Sequence, residues 1–334
     1  MRHRTGVSYG ALIGIVALFV PLVATLAGQG PKPAARTTPA TSTKWTAPRT
    51  PDGHPDLQGV WSFATLTPFE RPGALDGKQS LSDDEVEEFA QQRLETSNKD
   101  RRDGGAAVDV ERAYNDFWWD YGTKVWKQPS LVVDPADGRL PALTEQARQR
   151  AGQRRGNRFE NVEERPIAER CILGFNSGPP MVPSAYNNNV QIIQTADNVV
   201  ILNEMIHNAR IVPMNGRPHP SKALRFLTGD SIGHWEGDTL VVDTTNFSRD
   251  GGFRGASANM HLIERFSRVD AGTLKYEFTI DDPATWTKKW TASIPMSRSD
   301  EQIFEYACHE GNYGLAGVLR GARFLDTQPQ AAPK

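Results

Sequence analysis

Near the C-terminus the stretch FEYACHEGNYGL, Phe304 to Leu315, gathers Cys308, His309, Glu310, Asn312 and Tyr313. Proton transfer needs a group that titrates near the working pH, and histidine does so without help from its surroundings. In that reading His309 is the acid or base and Glu310 or Tyr313 assists it. Arg210 holds an anionic or carbonyl oxygen, and His207 is a second acid–base candidate. His261 and Glu264 open a further predicted strand. With Trp118, Trp119 and Trp235 they make up the candidate substrate-binding set. The plainer alternative is that His309 and Glu310 are neighbours on opposite faces of a strand, one hydrogen-bonded and one solvated.

Other chemistries find less support. The histidines past the first forty residues are His54, His207, His219, His234, His261 and His309, none in a His-x-His or His-Glu-x-x-His pattern. Glu204 and His207 are three apart, which places them on opposite faces of a strand, so no metal is expected. Gly-x-Ser-x-Gly, the phosphate loop and the dinucleotide fingerprint do not occur, so no nucleotide cofactor or other cofactor is expected. The net charge of -2 carries no basic excess and argues against a nucleic-acid partner. Trp118, Trp119, Tyr121 and Trp126 lie in one short span beside Asp116 and Asp120. Such aromatics stack on sugars, or plug a barrel and anchor helices to a sheet.

The elements that must hold these residues are mostly strands. Leu274, Tyr276, Phe278 and Ile280 alternate with Thr273, Lys275, Glu277 and Thr279, the period of a half-buried strand. GHWEGDTLVVDTTNF and HLIERFSRVDAGTLKYEFTIDD read as hairpins, and WTASIPM and QIFEYACHE continue the series. Short connections imply an antiparallel meander, because parallel neighbours need long crossovers. The expected fold is mainly β with some α: a lipocalin-like antiparallel barrel of about eight strands over residues 186–325. Closure removes its edges, and eight strands can enclose one small ligand.

A helical and irregular region, residues 49–185, is expected to sit against the barrel. Within it Ser82 and Glu85 form a capping box ahead of a helix near residues 83–99. Gly59-Val60-Trp61 is placed as a first strand, and residues 326–334 as a disordered tail.

Residues 1–27 have a basic start, an apolar run from Ala11 to Val20 and small residues at the end, the layout of a secretory signal peptide. An uncleaved anchor is the alternative. Residues 28–48, rich in Pro, Ala and Thr, read as a linker. The expected location is therefore periplasmic or secreted, with no stable membrane insertion after cleavage. In an oxidising compartment Cys171 and Cys308, the only cysteines, favour a disulfide over two buried thiols.

SLVVDPADGRLPALT, ERCI, GDSIGHWEGDTLVVDTTNF and YACHEGNYGL resemble a family of exported bacterial proteins of unassigned activity. The resemblance covers nearly all of the chain after residue 45 and contributes no catalytic residues. Gly59-x-Trp61 also resembles the Gly-x-Trp that opens lipocalins, or calycins. Three functions are compatible with these readings. One is binding or turnover of a small, partly apolar molecule by cofactor-independent lyase, hydratase or isomerase chemistry. The second is non-catalytic carriage by a periplasmic lipocalin-type protein. The third is carbohydrate chemistry using Trp118 to Trp126. The sequence leaves the oligomeric state open.

Overall fold

The computed structural model describes residues 45–112, 115–153, 159, 161–248 and 253–328. The signal-peptide expectation, most of the linker and the last six residues of the tail lie outside them. Ten strands form: β1 (Gly59–Ser62), β2 (Val132–Asp134), β3 (Asn189–Gln194), β4 (Asn198–Asn203), β5 (Ala209–Pro213), β6 (Asp230–Glu236), β7 (Thr239–Thr245), β8 (His261–Arg268), β9 (Thr273–Asp281) and β10 (Trp290–Ser299). Four α-helices accompany them: α1 (Asp83–Ser97), α2 (Ala106–Glu111), α3 (Glu145–Gln153) and α4 (Tyr313–Asp326).

All pairings are antiparallel, in the order β5-β4-β3-β1-β10-β9-β8-β7-β6, with β2 added beside β10. Both expected hairpins are present. β6 and β7 turn through Gly237-Asp238, where Gly237 takes the left-handed φ of 58° that a two-residue turn demands. In β9 the alternation buries Leu274, Tyr276, Phe278 and Ile280, as its period predicts. Pro295 sits inside β10, opposite Lys275 of β9. On its other side β2 stops at Ala292 and β1 starts at Ser297, so the missing proline N–H falls where no strand needs it.

Three expectations change. First, Gly59-Val60-Trp61 does form a strand, but β1 is inserted between β3 and β10, in the interior of the sheet order and away from the region it was grouped with. Second, the sheet curls but does not close into a barrel. Its edge strands β5 and β6 meet through side chains: a Cβ built on Gly233 would lie 2.4 Å from Met214 Sδ and 3.0 Å from Val212 Cγ1. No ladder joins those two strands among the described residues. Third, QIFEYACHE is not a strand. The chain leaves the sheet at Ser299, turns at 308–311 and enters α4, so 186–325 is not wholly β.

The concave face is filled by Trp61, Ile192, Ile201, Val242, Phe266, Tyr276, Phe278 and Ile294, all essentially buried. Trp61 donates from Nε1 to Leu57 O, 2.9 Å, and lies beneath the guanidiniums of Arg268 and Arg298 at 4.9 and 5.7 Å. The capping box of α1 is formed: Glu85 N donates to Ser82 Oγ, 3.2 Å, and Ser82 N to Glu85 Oε2, 2.8 Å. Val86 and Phe89 of α1 then pack on a smaller core of Leu66, Leu75, Leu81 and Val125. Cys171 and Cys308 are bonded, S–S 2.01 Å, across 137 residues. Asn312 caps α4 and donates to Glu169 O, 2.8 Å, next to that bond.

Candidate functional site

The sequence-derived catalytic group is dispersed. His309 and Glu310 are exposed in the turn before α4, and Tyr313, in the first turn of that helix, is 82% exposed. His207 is exposed in the 3-10 turn Met205–His207, while Glu204, three residues before it, is buried. Trp118 is exposed against Phe117. Trp235 stacks on His54 at 4.7 Å and lines a cleft of about 260 Å³ with Met214 and Gln194, where β3 and β5 end. Asp116 and Asp120, expected beside a sugar, accept from the backbone N–H groups of Lys99 and Gly122.

Arg210 and Glu264 do come together, but within the core. Alternation along β8 puts Glu264 on the concave face between Leu262 and Phe266. Its carboxylate takes both terminal nitrogens of Arg210, with Nη2–Oε1 at 2.9 Å, and the phenol of Tyr276 at 2.8 Å. Met181 N donates to Tyr276 Oη, 3.1 Å. Glu264 and Tyr276 have no measurable exposure and Arg210 has 7%. Burial alone would lower the Arg210 pKa, but Glu264 outweighs it and the net shift is upward. Burial, then the Glu264 charge, pushes the Tyr276 phenol well above its ordinary value. Arg210 is therefore committed to an internal carboxylate rather than to a ligand oxygen.

Titratable groups meet elsewhere, on the convex face of β6, β7 and β8. Arg217 grips Asp230 with two nitrogens, 2.7 and 3.1 Å. His219 bridges Asp230 through Nδ1, 2.7 Å, and Asp243 through Nε2, 3.3 Å. Asp243 also holds His261, Nε2–Oδ1 2.9 Å. A carboxylate can only accept, so this bond places a proton on Nε2 and leaves Nδ1 as the acceptor of the neutral ring. Nδ1 has no partner among the described residues. Register explains the contact: Asp243 pairs with Ile263, two residues from His261, the diagonal neighbour on one face.

His261 also lines a cleft of about 250 Å³ with Lys222, Arg225, Asn246, Asn259 and Met260. Asn246, at φ 59°, donates to the carbonyls of Pro220 and Ser221 and so fixes the loop that carries Lys222. Arg225 donates to Ala258 O, and neither Lys222 nor Arg225 has a carboxylate partner among the described residues. Two cations beside a histidine held by an aspartate favour an anion, with an acid–base group next to it. The described residues contain no group of three or more His, Cys, Asp or Glu arranged to hold a metal ion.

The charges are set by these bonds. The hydrogen bond to Asp243 raises the His261 pKa, partial burial opposes it, and the Asp243 and Asp281 charges add to the rise. For Asp243 burial is the largest influence and acts upward, but His261 and His219 outweigh it and the pKa falls. For Asp230 burial likewise acts upward, and Arg217 and His219 reverse it.

The linkage signs differ for the two partners. The stability from His261 is complete below its unfolded pKa, near 6.5, and is lost as pH rises through the folded value. That from Asp243 is present above its unfolded pKa and is lost as pH falls through its folded value. Urea midpoints are thus expected to decline as pH rises above about 6.5, and the decline to shrink in Asp243→Asn. An Asp243→Asn protein that keeps the full decline would show that another group is responsible.

Comparison of the chain with protein families, curated proteins and solved structures finds no match. The site is therefore read from its own geometry. Of these residues the sequence pattern points to His261 alone, and not to Asp243, His219, Lys222 or Arg225. Asp243 is visible as the charged member of LVVDTT, yet its partner depends on strand register.

Proposed function

We propose that the protein binds a small organic anion at the His261 cleft and acts on it by acid–base chemistry. The observation that carries this reading is the 2.9 Å bond from His261 to Asp243 beside two cations without carboxylate partners. Lys222 and Arg225 would hold a carboxylate, and His261 Nδ1 would take or return a proton on a neighbouring carbon or oxygen. Isomerisation, hydration and elimination all begin with such a transfer, and none of them needs a cofactor. The curled sheet serves as an interrupted barrel whose rim, rather than its filled interior, carries the site. Binding without turnover would need only the two cations; the aspartate behind the histidine is what favours catalysis.

The disulfide suits an oxidising compartment, and among the described residues no helix is long and apolar enough to cross a membrane. Together with the basic, apolar N-terminal sequence, the disulfide supports an exported protein.

Proton transfer can be observed without knowing the substrate. Pyruvate and 2-oxobutyrate, incubated with the full chain in deuterated water, are expected to exchange their C3 protons faster than in buffer. His261→Gln is expected to abolish the protein-dependent rate, and Asp243→Asn to reduce it by about 10²-fold or more. Exchange that is absent, or unchanged in His261→Gln, would overturn the catalytic reading.

A further inference from the structure

We propose that a second cleft, where β1 ends and β3 begins, binds a flat aromatic carboxylate. The cleft has a volume of about 370 Å³ and is lined by Phe69, Arg93, Trp119, Tyr121, Ser184 and Arg254, among others. It shares no lining residue with the His261 cleft.

The walls are preformed. Trp119 and Tyr121 are stacked, ring centroids 5.3 Å apart and 14° from parallel. The backbone between them is tied down: Asp120 N donates to Ala185 O, 2.6 Å, and Asp120 O accepts from Asn188 Nδ2, 2.8 Å. Asn188 is fully buried. It fixes the facing wall as well, accepting from Ser184 N at 2.8 Å and donating to Ser184 O at 2.9 Å. Asn176, also fully buried, donates to the Asn188 side chain and to the carbonyls of Tyr186 and Asn187. Two interior asparagines thus hold both walls in place, the supporting arrangement that a binding site requires.

The charges point to an anion. The Arg254 guanidinium lies over the Phe69 ring at 4.1 Å, on a backbone in the left-handed region, φ 50°. Among the described residues the guanidiniums of Arg254 and Arg93 make no salt bridge and no hydrogen bond. The Ser184 hydroxyl is equally without a partner there. Partial desolvation against the ring lowers the Arg254 pKa, and Glu70 only partly opposes this, as expected for a cation lacking a close carboxylate. Stacked arginine readily receives a planar carboxylate.

The ring of the ligand would meet the aromatic wall and the apolar floor of Leu131 and Pro183. A sugar fits less well. The acidic residues near these aromatics serve backbone N–H groups, and the polar groups that face the cleft are cations and hydroxyls.

Isothermal titration of the full chain with 4-hydroxybenzoate tests this. Saturable one-to-one binding with quenching of tryptophan fluorescence is expected. The neutral 4-hydroxybenzamide and the non-aromatic cyclohexanecarboxylate should each bind about tenfold more weakly or worse. Arg254→Gln should weaken 4-hydroxybenzoate by about tenfold with only a small change in melting temperature, since the residue as a whole is exposed and loses only its ring contacts. His261→Gln should leave that affinity unchanged, which separates this site from the acid–base cleft. No binding, equal binding of the amide or of the cyclohexane acid, glucose binding in preference to the acid, or normal affinity in Arg254→Gln would each overturn the proposal. So would loss of binding in His261→Gln.

Discussion

Glu264→Ala is expected to lower the unfolding free energy by about 3–5 kcal/mol, the largest single-residue effect anticipated in this protein. The substitution removes the acceptor for both Arg210 nitrogens and for the Tyr276 phenol, inside a face where Tyr276 has no exposure and Arg210 very little. Most of the loss comes from the stranded guanidinium, not from the attraction that the pair supplied. Two charges taken out of water recover through mutual attraction little more than their desolvation costs. The double variant Arg210→Met, Glu264→Leu should therefore lie within about 1–2 kcal/mol of the parent, or above it. Tyr276→Phe should cost about 1–2 kcal/mol, because one bond to a charged acceptor disappears and Met181 N loses its partner. Urea unfolding followed by tryptophan fluorescence measures all three. A loss below about 1 kcal/mol in Glu264→Ala would mean that water reaches the pair in solution.

The second large effect concerns the Cys171–Cys308 bond. Its loop of 137 residues, out of 334, contains every strand from β3 to β10, so most of the sheet-forming part of the unfolded chain is constrained by it. The chain-entropy relation gives about 5 kcal/mol for a loop of that length as an upper figure. The measured loss on reduction, or in Cys171→Ser with Cys308→Ser, is expected nearer 2–3 kcal/mol. No side chain of α4 is buried, so once released the segment gains freedom in the native state too, which offsets part of the effect. Limited proteolysis should then cut first within residues 300–328, with the sheet still folded. Cutting within the sheet at the same rate would show that the bond holds up the core directly.

The strands were legible because their periodicity is strong and local. β9 alternates without exception, the β6–β7 turn carries its glycine, and Ser82 with Glu85 announces α1. The disulfide followed from two cysteines and an apolar N-terminus. α4 was not legible: Gly311 and Gly314 suggest a turn out of a strand, Gly317 and Gly321 weaken helix propensity, and only the Asn312 cap and the bond beside it show why a helix forms there. The barrel was over-read, because nothing local to β5 or β6 says that their facing edges go unpaired.

The candidate site was half legible. His261 was chosen for its place at a strand start, and Glu264 sat on the core side of Leu262-x-Glu264-x-Phe266, a pattern that marks a buried charge rather than a ligand contact. Asp243 met His261 only through a register set by two hairpins. Lys222, Arg225 and Arg254 lie on loops whose paths are fixed by distant residues, Asn246 among them, so no window of sequence contains the information.

The position of β1 bears on how this chain reaches its native state. β3 to β5 and β6 to β10 each pair only with sequence neighbours within their own group and can form as separate meanders soon after synthesis. Among the described residues β1 alone joins their ladders, pairing Trp61 with Val190 on one side and with Arg298 on the other, the second partner more than two hundred residues away in the chain. The first strand to leave the ribosome is thus the last to find both its neighbours. Contacts of such high order are slow to form, because loop closure must precede any compensating burial. Until then Trp61 and the facing edges of β3 and β10 remain exposed. The folding of this protein should be limited by that single bridging event, and its aggregation hazard should be concentrated in the interval before it.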